Sequence, residues 1–203
     1  MVPDSEPTPG TPAPIPDSPE PTPGTPEPTP DASVRLRPAT PDDAEALLAS
    51  LIRNREHMRR WGPDRPADHF TVRAQVNRLA DPSLRLWHLR DGDLVVGQFT
   101  LSNLVLGPFR SADLGYWVDA GYTGRGLATY AVEEVCRAAH QELGLHRVQA
   151  GTLLDNAASQ RVLRKCGFEE IGVAPRYLHI HGAWQDHRLF QRILHNGPPN
   201  TAA

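Results

Sequence analysis

The densest group of residues that could bind a ligand or take part in a reaction follows a predicted strand at Ser111–Val118. Gly121, Gly124 and Gly126 come directly after that strand, and a helical pattern begins at once. Such a turn leaves several backbone N–H groups unpaired and directed at one point, where the helix dipole adds positive potential. Glycine lets a ligand approach the backbone because it has no Cβ. The segment predicts a diphosphate-binding loop, and a glycine-rich turn without a ligand is the alternative.

Two common phosphate-binding motifs do not fit this loop. No Gly-Lys-Ser/Thr follows it, which excludes a Walker A loop. The dinucleotide motif Gly-x-Gly-x-x-Gly requires a third glycine where this chain has Thr129. The loop therefore predicts a phosphate-binding motif of another class.

A second polar segment begins at Asp155 and runs through a predicted helix, Asn156–Cys166. Asn156 and Ser159 are three residues apart, so they share a helix face and can act on one ligand. The alternative is that Asp155 or Asn156 only caps the helix.

The elements that must position these residues follow from hydrophobic periodicity and turn signals. The second half alternates strand and helix after an antiparallel first half, which predicts a mixed α/β (α+β) sheet with helices on both faces. The predicted strands are Val34–Pro38, Leu84–Arg90, Leu94–Leu101, Ser111–Val118, Arg147–Leu153, Phe168–Val173 and Trp184–Leu194. The predicted helices begin after Thr40, at Val72, after Gly126 and at Asn156.

The first 32 residues differ in composition from the rest of the chain. Twelve of the 21 prolines and six of the 24 acidic residues lie there, with no basic residue, and the first aromatic residue is Trp61. Such a segment cannot bury enough apolar surface to offset its ordering entropy. We therefore predict a disordered, proline-rich acidic tail over 1–32, one domain over 33–195 and a flexible C-terminal tail over 196–203.

Composition narrows the class of protein. Without the tail the formal charge is +3, which is too mild for a nucleic-acid-binding face. The two cysteines, Cys136 and Cys166, fit inert core thiols better than a secreted disulfide framework, and no metal spacing involves them. Neither a signal peptide nor an apolar run long enough to span a membrane is present. We expect a soluble cytoplasmic protein that holds no metal and binds neither nucleic acid nor membrane.

Taken together, the two polar segments resemble the GNAT acetyltransferase superfamily, and most nearly its Rim-type ribosomal-protein N-acetyltransferases. The resemblance runs from about Val34 to Leu194. It rests on the Gly-Tyr-Trp-Val-Asp strand end, the glycine loop, Leu-Gly-Leu-His-Arg at 143–147, Asp-Asn-x-Ala-Ser at 155–159, Cys-Gly-Phe at 166–168 and Trp-x-Asp-His at 184–187. It implies a mostly antiparallel sheet of about seven strands that splays between two central strands.

The resemblance also implies how acetyl-CoA binds. The diphosphate would lie on the loop formed by Thr123, Gly124, Arg125, Gly126, Leu127, Ala128 and Thr129. Thr123 stands where the family carries Gln or Arg. The pantetheine would run along the backbone of Trp117 and Val118 and bond to Asn156. Arg164 and Lys165 are candidates for the adenosine 3′-phosphate, or else belong to a solvated helix face.

The implied reaction is direct attack of an amine on the acetyl thioester. A backbone N–H near Val118 is the expected oxyanion donor. Many relatives use a tyrosine to serve the leaving thiolate, but that position is Leu163 here, and Ser159 takes the role as in the Rim-type proteins. Asp113 stands where many relatives carry a glutamate base, is one methylene shorter and needs a water relay. His179 and His181 are further candidates for the base.

The lack of an obvious strong base bears on the acceptor. An α-amine is roughly 10–15% neutral at pH 7, whereas a lysine or polyamine amine is only about 0.04% neutral. A protein or peptide N-terminus is therefore the expected acceptor. A small amine such as a polyamine or aminoglycoside is the alternative, although residues 54–80, which line the acceptor side in the family, are rich in arginine. A non-catalytic acyl-CoA sensor is the alternative of another class. Either a monomer or a homodimer is compatible with the sequence.

Overall fold

The computed structural model describes residues 33–198. Its strands are β1 Val34–Pro38, β2 Arg85–Asp91, β3 Leu94–Val105, β4 Ser111–Val118, β5 Arg147–Leu153, β6 Glu169–Ile180 and β7 Ala183–Ile193. Its α-helices are α1 Ala44–Arg53, α2 Arg55–Arg59, α3 Val72–Leu79, α4 Leu127–Gln141 and α5 Ala157–Lys165. The tail predicted over 1–32 and the last five residues of the tail predicted over 196–203 lie outside the described residues.

The seven strands form one open sheet in the order β1-β2-β3-β4-β5-β7-β6. Every neighbouring pair is antiparallel except β4 and β5, which are parallel. The β4–β5 pairing covers only three residues of each strand and ends at Asp113 opposite Gln149. The mixed, mostly antiparallel sheet predicted from the sequence is confirmed.

Because successive side chains point to opposite faces, the sheet packs against one apolar layer on each face. On one face Phe99, Leu114 and Phe190 pack with α4 and α5. On the other face Val95 and Trp117 pack with α1 and α3. The helices on both faces are thus held by burial of their apolar sides, at roughly 25 cal/mol per Å² of apolar surface.

The last hairpin is longer than the hydrophobic pattern predicted. β6 continues past Val173 to Ile180, through an irregularity between Ala174 and Leu178. Pro175 lies within this irregularity, and β6 is an edge strand, where a proline at a bulge breaks no ladder. His181 and Gly182 both have positive φ and make the tight turn into β7.

Candidate active site

The sheet opens between β4 and β5, at the carboxyl ends of both strands. Beyond Asp113 and Gln149 the two strands no longer pair, so their facing backbone groups are not used by the sheet. The Asp119 N–H donates to the Val96 carbonyl at 2.8 Å. Because strand hydrogen bonds alternate in direction, the N–H and C=O of Val118 turn away from β3 and towards the opening. The backbone of Val118 is therefore available to a ligand there.

Asp119 fixes the start of the loop that follows β4. Its carboxylate accepts hydrogen bonds from the Gly121 N–H (2.9 Å), the Asn54 side-chain amide (2.7 Å) and the Arg53 Nε (2.8 Å). Burial by itself would raise the Asp119 pKa, but these hydrogen bonds outweigh it and the pKa lies below its ordinary value. Sequence reasoning missed this residue, because the network joins groups far apart along the chain.

The glycine loop continues directly into α4. Gly124 and Gly126 have φ of +77° and +75°, a conformation that favours glycine. A Cβ at Gly124 would meet no atom within 4 Å, so the loop is open on that side. No side chain caps the N-terminus of α4, and its first turn holds no acidic residue. These features fit a diphosphate, since the amides of Leu127, Ala128 and Thr129 have no helical partner.

The side chains at the start of the loop contact the loop itself. The Thr123 hydroxyl donates to the Ala120 carbonyl at 3.0 Å, and the Arg125 guanidinium donates to the Gly121 carbonyl at 2.8 Å. The Arg125 guanidinium also lies 4.7 Å from the centre of the Tyr122 ring. Both side chains therefore stabilise the conformation of the loop. The loop presents backbone N–H groups to a ligand.

Asn156 and Ser159 lie at the start of α5, beside the opening. The Asn156 Oδ1 accepts from the Ser159 N–H at 3.1 Å, so Asn156 is the N-cap of α5. This is the capping role that the sequence left open for Asn156, and it occupies the side-chain oxygen. A role of its Nδ2 towards a ligand stays a prediction.

The Ser159 hydroxyl contacts a tyrosine that sequence reasoning did not single out. Its Oγ lies 2.8 Å from the Tyr116 hydroxyl, across the gap between α5 and β4. The Tyr116 ring stacks on Phe99 with centroids 5.4 Å apart and planes within 6° of parallel. Burial raises the pKa of Tyr116 well above its ordinary value, so this phenol keeps its proton. The alternation of β4 was the available signal, because it places Tyr116 and the buried Leu114 on one face.

The other end of α5 reaches the glycine loop. The Cys166 thiol lies 3.5 Å from the Thr129 carbonyl, in the first turn of α4. Arg164 and Lys165, one and two residues before Cys166, are exposed. Arg164 pairs with Glu170 at 3.4 Å. Both cations thus lie near the loop, and their role towards a phosphate stays a prediction.

Asp113 lies on the opposite face of the sheet from Ser159. It is partly buried and accepts a hydrogen bond from the Asn103 side-chain amide at 2.8 Å. Its negative charge, together with burial as the larger cause, raises the pKa of Tyr177. The two side chains that the sequence assigned to proton chemistry, Ser159 and Asp113, therefore flank the opening from its two sides.

The segment between α1 and α3 reaches over the Asp113 face of the opening. Arg60 pairs with Asp155 at 2.9 Å, and Asp64 accepts from the Gly182 N–H at 3.3 Å. These contacts join the segment to the end of β5 and to the β6–β7 turn. Near its end, the pKa of His69 is lowered by burial first and then by the charges of Arg65 and Arg78. The acceptor side predicted over 54–80 is thus adjacent to the opening and carries positive charge.

Across residues 33–198, no three His, Cys, Asp or Glu side chains are arranged to hold a metal ion. In the same part of the chain, no helix has the length and apolar character required to cross a bilayer.

The chain is similar to proteins named as acetyltransferases. It is 32% identical over 166 residues to a Bacillus subtilis protein named as a probable N-acetyltransferase, YjcK, covering 77% of this chain and 92% of that one. The structure of a ribosomal-protein-S5-alanine acetyltransferase from Vibrio fischeri superposes with a TM-score of 0.80 at 29% identity, covering 83% and 97% of the two chains. Mycobacterium smegmatis RimJ, solved with a CoA disulfide, superposes with a TM-score of 0.69 at 31% identity, covering 79% and 81%.

The family follows from the match over most of the folded chain. The family described as acetyltransferase (GNAT) domain matches residues 33–169, which span β1 to the start of β6 and include the loop, α4 and α5. The matched segment contains the opening, the glycine loop, Asp113, Asn156 and Ser159. This chain belongs to the GNAT acetyltransferase family and is an acyltransferase.

Proposed function

We propose that this protein transfers the acetyl group of acetyl-CoA to the α-amine of a protein or peptide N-terminus, in the cytoplasm and within a ternary complex. The opening between β4 and β5 carries the proposal. It begins where the β4–β5 pairing ends at Asp113 and lies beside the N-terminus of α4, which no side chain caps. Ser159 flanks it on one face of the sheet and Asp113 on the other. A thioester in this opening would be reached by an amine from the Asp113 face.

The donor side fits a thioester of CoA. The amides of Leu127, Ala128 and Thr129 would hold the diphosphate, and the Val118 N–H faces the opening where an oxyanion would form. The bound CoA disulfide of the Mycobacterium smegmatis neighbour supports this ligand class. Ser159 lies where it can donate a hydrogen bond to the leaving sulfur.

The acceptor side is unfavourable for a polycation. Positive charge collects where Arg65 and Arg78 lower the pKa of His69, and Arg60 lies over the end of β5. Like charges repel an incoming polyamine, whereas a peptide with one α-amine is less affected. The Vibrio fischeri neighbour, whose name gives an alanine of ribosomal protein S5 as its target, makes a peptide beginning with alanine the first choice.

A thiol-release assay with a panel of amines tests the proposal. The panel contains peptides beginning with Ala or Ser, the same peptides blocked at the N-terminus but carrying a lysine, and spermidine. We expect kcat/KM for the free N-termini to exceed that for the blocked peptides and spermidine by at least about tenfold, given the difference in neutral amine at pH 7. Turnover of spermidine alone would overturn the proposed acceptor. Acetyl-CoA binding without turnover of any amine would favour the sensor alternative.

A further inference from the structure

A small notch lies on the acceptor face of the opening, and two glycines form its floor. Gly115 on β4 and Gly151 on β5 each follow, by two residues, the last paired residues Asp113 and Gln149. Side chains alternate, so both glycines face the same side as Asp113. Both are exposed. The sheet therefore leaves room at this point, next to where a thioester would lie.

Side chains from the last hairpin border the notch. A Cβ built on Gly151 would lie 3.4 Å from the Leu189 Cδ2, 3.5 Å from the Tyr177 Cε1 and 3.6 Å from the His187 Cδ2. The rings of Tyr177 and His187 have their centres 5.3 Å apart. The two rings are packed against each other, so the notch lies above Gly151 and beside them, and an imidazole forms one of its walls.

A hydrogen bond to the backbone defines the tautomer of the neutral His187 ring. The ring is 4% exposed, and its Nδ1 lies 3.1 Å from the Gln185 carbonyl oxygen. A carbonyl only accepts, so the proton of the neutral ring is assigned to Nδ1, and Nε2 keeps its lone pair. Cδ2 is bonded to Nε2, so the basic edge of the ring borders the notch.

The other titratable groups near the notch are placed differently. Tyr177 has a raised pKa because of burial and the charge of Asp113, so its phenol stays protonated. Asp113 is held by the Asn103 amide. His179, which the sequence offered as a base, is exposed and stacks edge-to-face on Trp184 instead of bordering the notch. His181 lies in the β6–β7 turn.

We propose that the acceptor amine sits in the notch above Gly151, against the rings of Tyr177 and His187, and that the His187 Nε2 is the general base. The inference rests on the proposed function. The imidazole accepts one proton from the ammonium group and releases it later to water. The neutral amine then forms the N–C bond to the acetyl carbon while the C–S bond breaks. The second amine proton leaves the nitrogen and ends on the CoA thiol, so the products are the amide, CoA and one released proton.

His187→Asn tests the base. The Asn side-chain amide reproduces the Nδ1–H donor to Gln185 and removes the basic nitrogen. At pH 7 we expect kcat/KM for an Ala-peptide to fall about tenfold, because only roughly 10–15% of an α-amine is neutral without help. At pH 9.5 the amine is already neutral, so the variant and the wild type should agree within about twofold. His179→Asn, on the same hairpin, is the matched control and should keep the wild-type profile.

The pH dependence separates a base from a packing role. A loss that stays the same at pH 9.5 would make His187 structural and overturn the inference. The same convergence seen with Asp113→Asn instead of His187→Asn would also overturn it, in favour of Asp113. If His187→Asn does not fold, His187→Gln is measured over the same pH range, and Gly151→Ala tests the acceptor position independently.

Gly151→Ala fills the notch without straining the backbone. The φ angle of Gly151 is not positive, and the new Cβ would make ordinary contacts, so the fold should survive. We expect the calorimetric Kd for the acceptor peptide to rise at least fivefold, while the Kd for acetyl-CoA stays within twofold. Gly197→Ala, remote from the opening, is the control. An unchanged peptide Kd would overturn the acceptor position.

Failure of the proposed function would look different. If wild-type enzyme acetylates no N-terminal peptide but does acetylate another amine, the proposed acceptor is wrong. The His187→Asn and Gly151→Ala variants are then measured with that amine, and the pH at which His187→Asn converges with wild type moves to the pKa of that amine. With that amine, a loss in His187→Asn that does not depend on pH overturns the base, and an unchanged acceptor Kd in Gly151→Ala overturns the acceptor position.

Discussion

Ser159 is held at two points, by Asn156 at its amide and by Tyr116 at its hydroxyl. Because burial keeps Tyr116 protonated, that phenol can donate to the Ser159 Oγ but is a poor source of a proton for a thiolate. When Tyr116 donates to the Ser159 Oγ, the hydroxyl hydrogen of Ser159 is available to another acceptor. We therefore assign Ser159 to stabilising the leaving thiolate by a hydrogen bond, and Tyr116 to positioning Ser159.

Ser159→Ala should lower kcat and leave acetyl-CoA binding intact. A hydrogen bond to a charged group contributes about 1.5–3 kcal/mol, which corresponds to roughly 10–150-fold in rate if it forms only in the transition state. The measurement is kcat with a saturating Ala-peptide, and the acetyl-CoA Kd by calorimetry, which should stay within twofold. Tyr116→Phe keeps the stacking on Phe99 and should cost less than Ser159→Ala.

Three results would contradict these roles. A loss of less than about threefold in Ser159→Ala would make Ser159 a bystander, because a transition-state hydrogen bond is worth more. A large rise in the acetyl-CoA Kd would make it a binding residue. Equal losses in Tyr116→Phe and Ser159→Ala would mean that the hydroxyl acts only as part of the pair.

Helix α4 is the element that prepares the donor side. Its N-terminus is set by Gly126, which adopts the left-handed conformation, and by the Asp119 network before the loop. A residue with a Cβ at Gly126 would strain the backbone, so it cannot separate folding from binding. A substitution in the first turn of α4 can separate folding from binding, because that turn holds no acidic residue.

Ala128→Asp should weaken acetyl-CoA binding without harming the fold. An acid in the first turn stabilises a helix by about 0.3–1 kcal/mol through the helix dipole, and the same charge repels a diphosphate at that position. We expect the acetyl-CoA Kd to rise about tenfold or more, a cost of about 1.4 kcal/mol, and the thermal midpoint to be kept or raised. Calorimetry and thermal unfolding measure the two effects.

Gln141→Glu is the matched control, because it adds the same charge at the other end of α4. That end lies roughly 20 Å away at 1.5 Å per residue, so acetyl-CoA affinity should not change. An unchanged affinity in Ala128→Asp would mean that the diphosphate does not lie on this helix.

At the scale of the whole molecule, a buried polar group joins β1, β2 and the turn before α1. His88 is fully buried, with its Nδ1 3.3 Å from the Asp43 Oδ2 and its Nε2 3.0 Å from the Gln98 Nε2. Burial lowers the pKa of His88 from 6.5 to about 4. The Asp43 pKa is also lowered: burial would raise it, but hydrogen bonds from Arg37 and Thr40 outweigh burial. His88 is therefore neutral and Asp43 charged at pH 7.

Stability should fall as the pH drops from 6.5 towards 4. In that range the unfolded chain binds a proton at His88 and the folded chain does not, so acid favours unfolding. Above 6.5 the contribution is complete, and by pH 4 the loss reaches about 3 kcal/mol at about 1.4 kcal/mol per pKa unit. Urea unfolding at a series of pH values should show a shallower decline for His88→Gln than for wild type. His179→Gln, at an exposed site, should follow the wild type, and equal slopes for wild type and His88→Gln would refute the assignment.

The sequence by itself predicted the strands, the helices other than α2, the place of the glycine loop and the family, because local signals and motifs carry each of them; it offered Asn156 as a cap but left Asp155 as an alternative. Period-two and period-three-to-four patterns identify strands and helices, and glycines mark where the backbone must turn or stay open. The length of β6 was underestimated, because proline is disfavoured in a strand unless that strand lies at an edge. Strand position within the sheet is decided by the whole fold.

Only the tertiary structure decided which side chains meet at the opening. Tyr116 and Ser159 are 43 residues apart along the chain, and Asn54 and Asp119 are 65 apart, so no spacing rule joins them. The notch at Gly151 exists because β4 and β5 stop pairing after Asp113, which brings His187 and Tyr177 from the last hairpin beside an exposed glycine. Contacts between distant segments depend on sheet order and register, and these are set by packing of the complete chain.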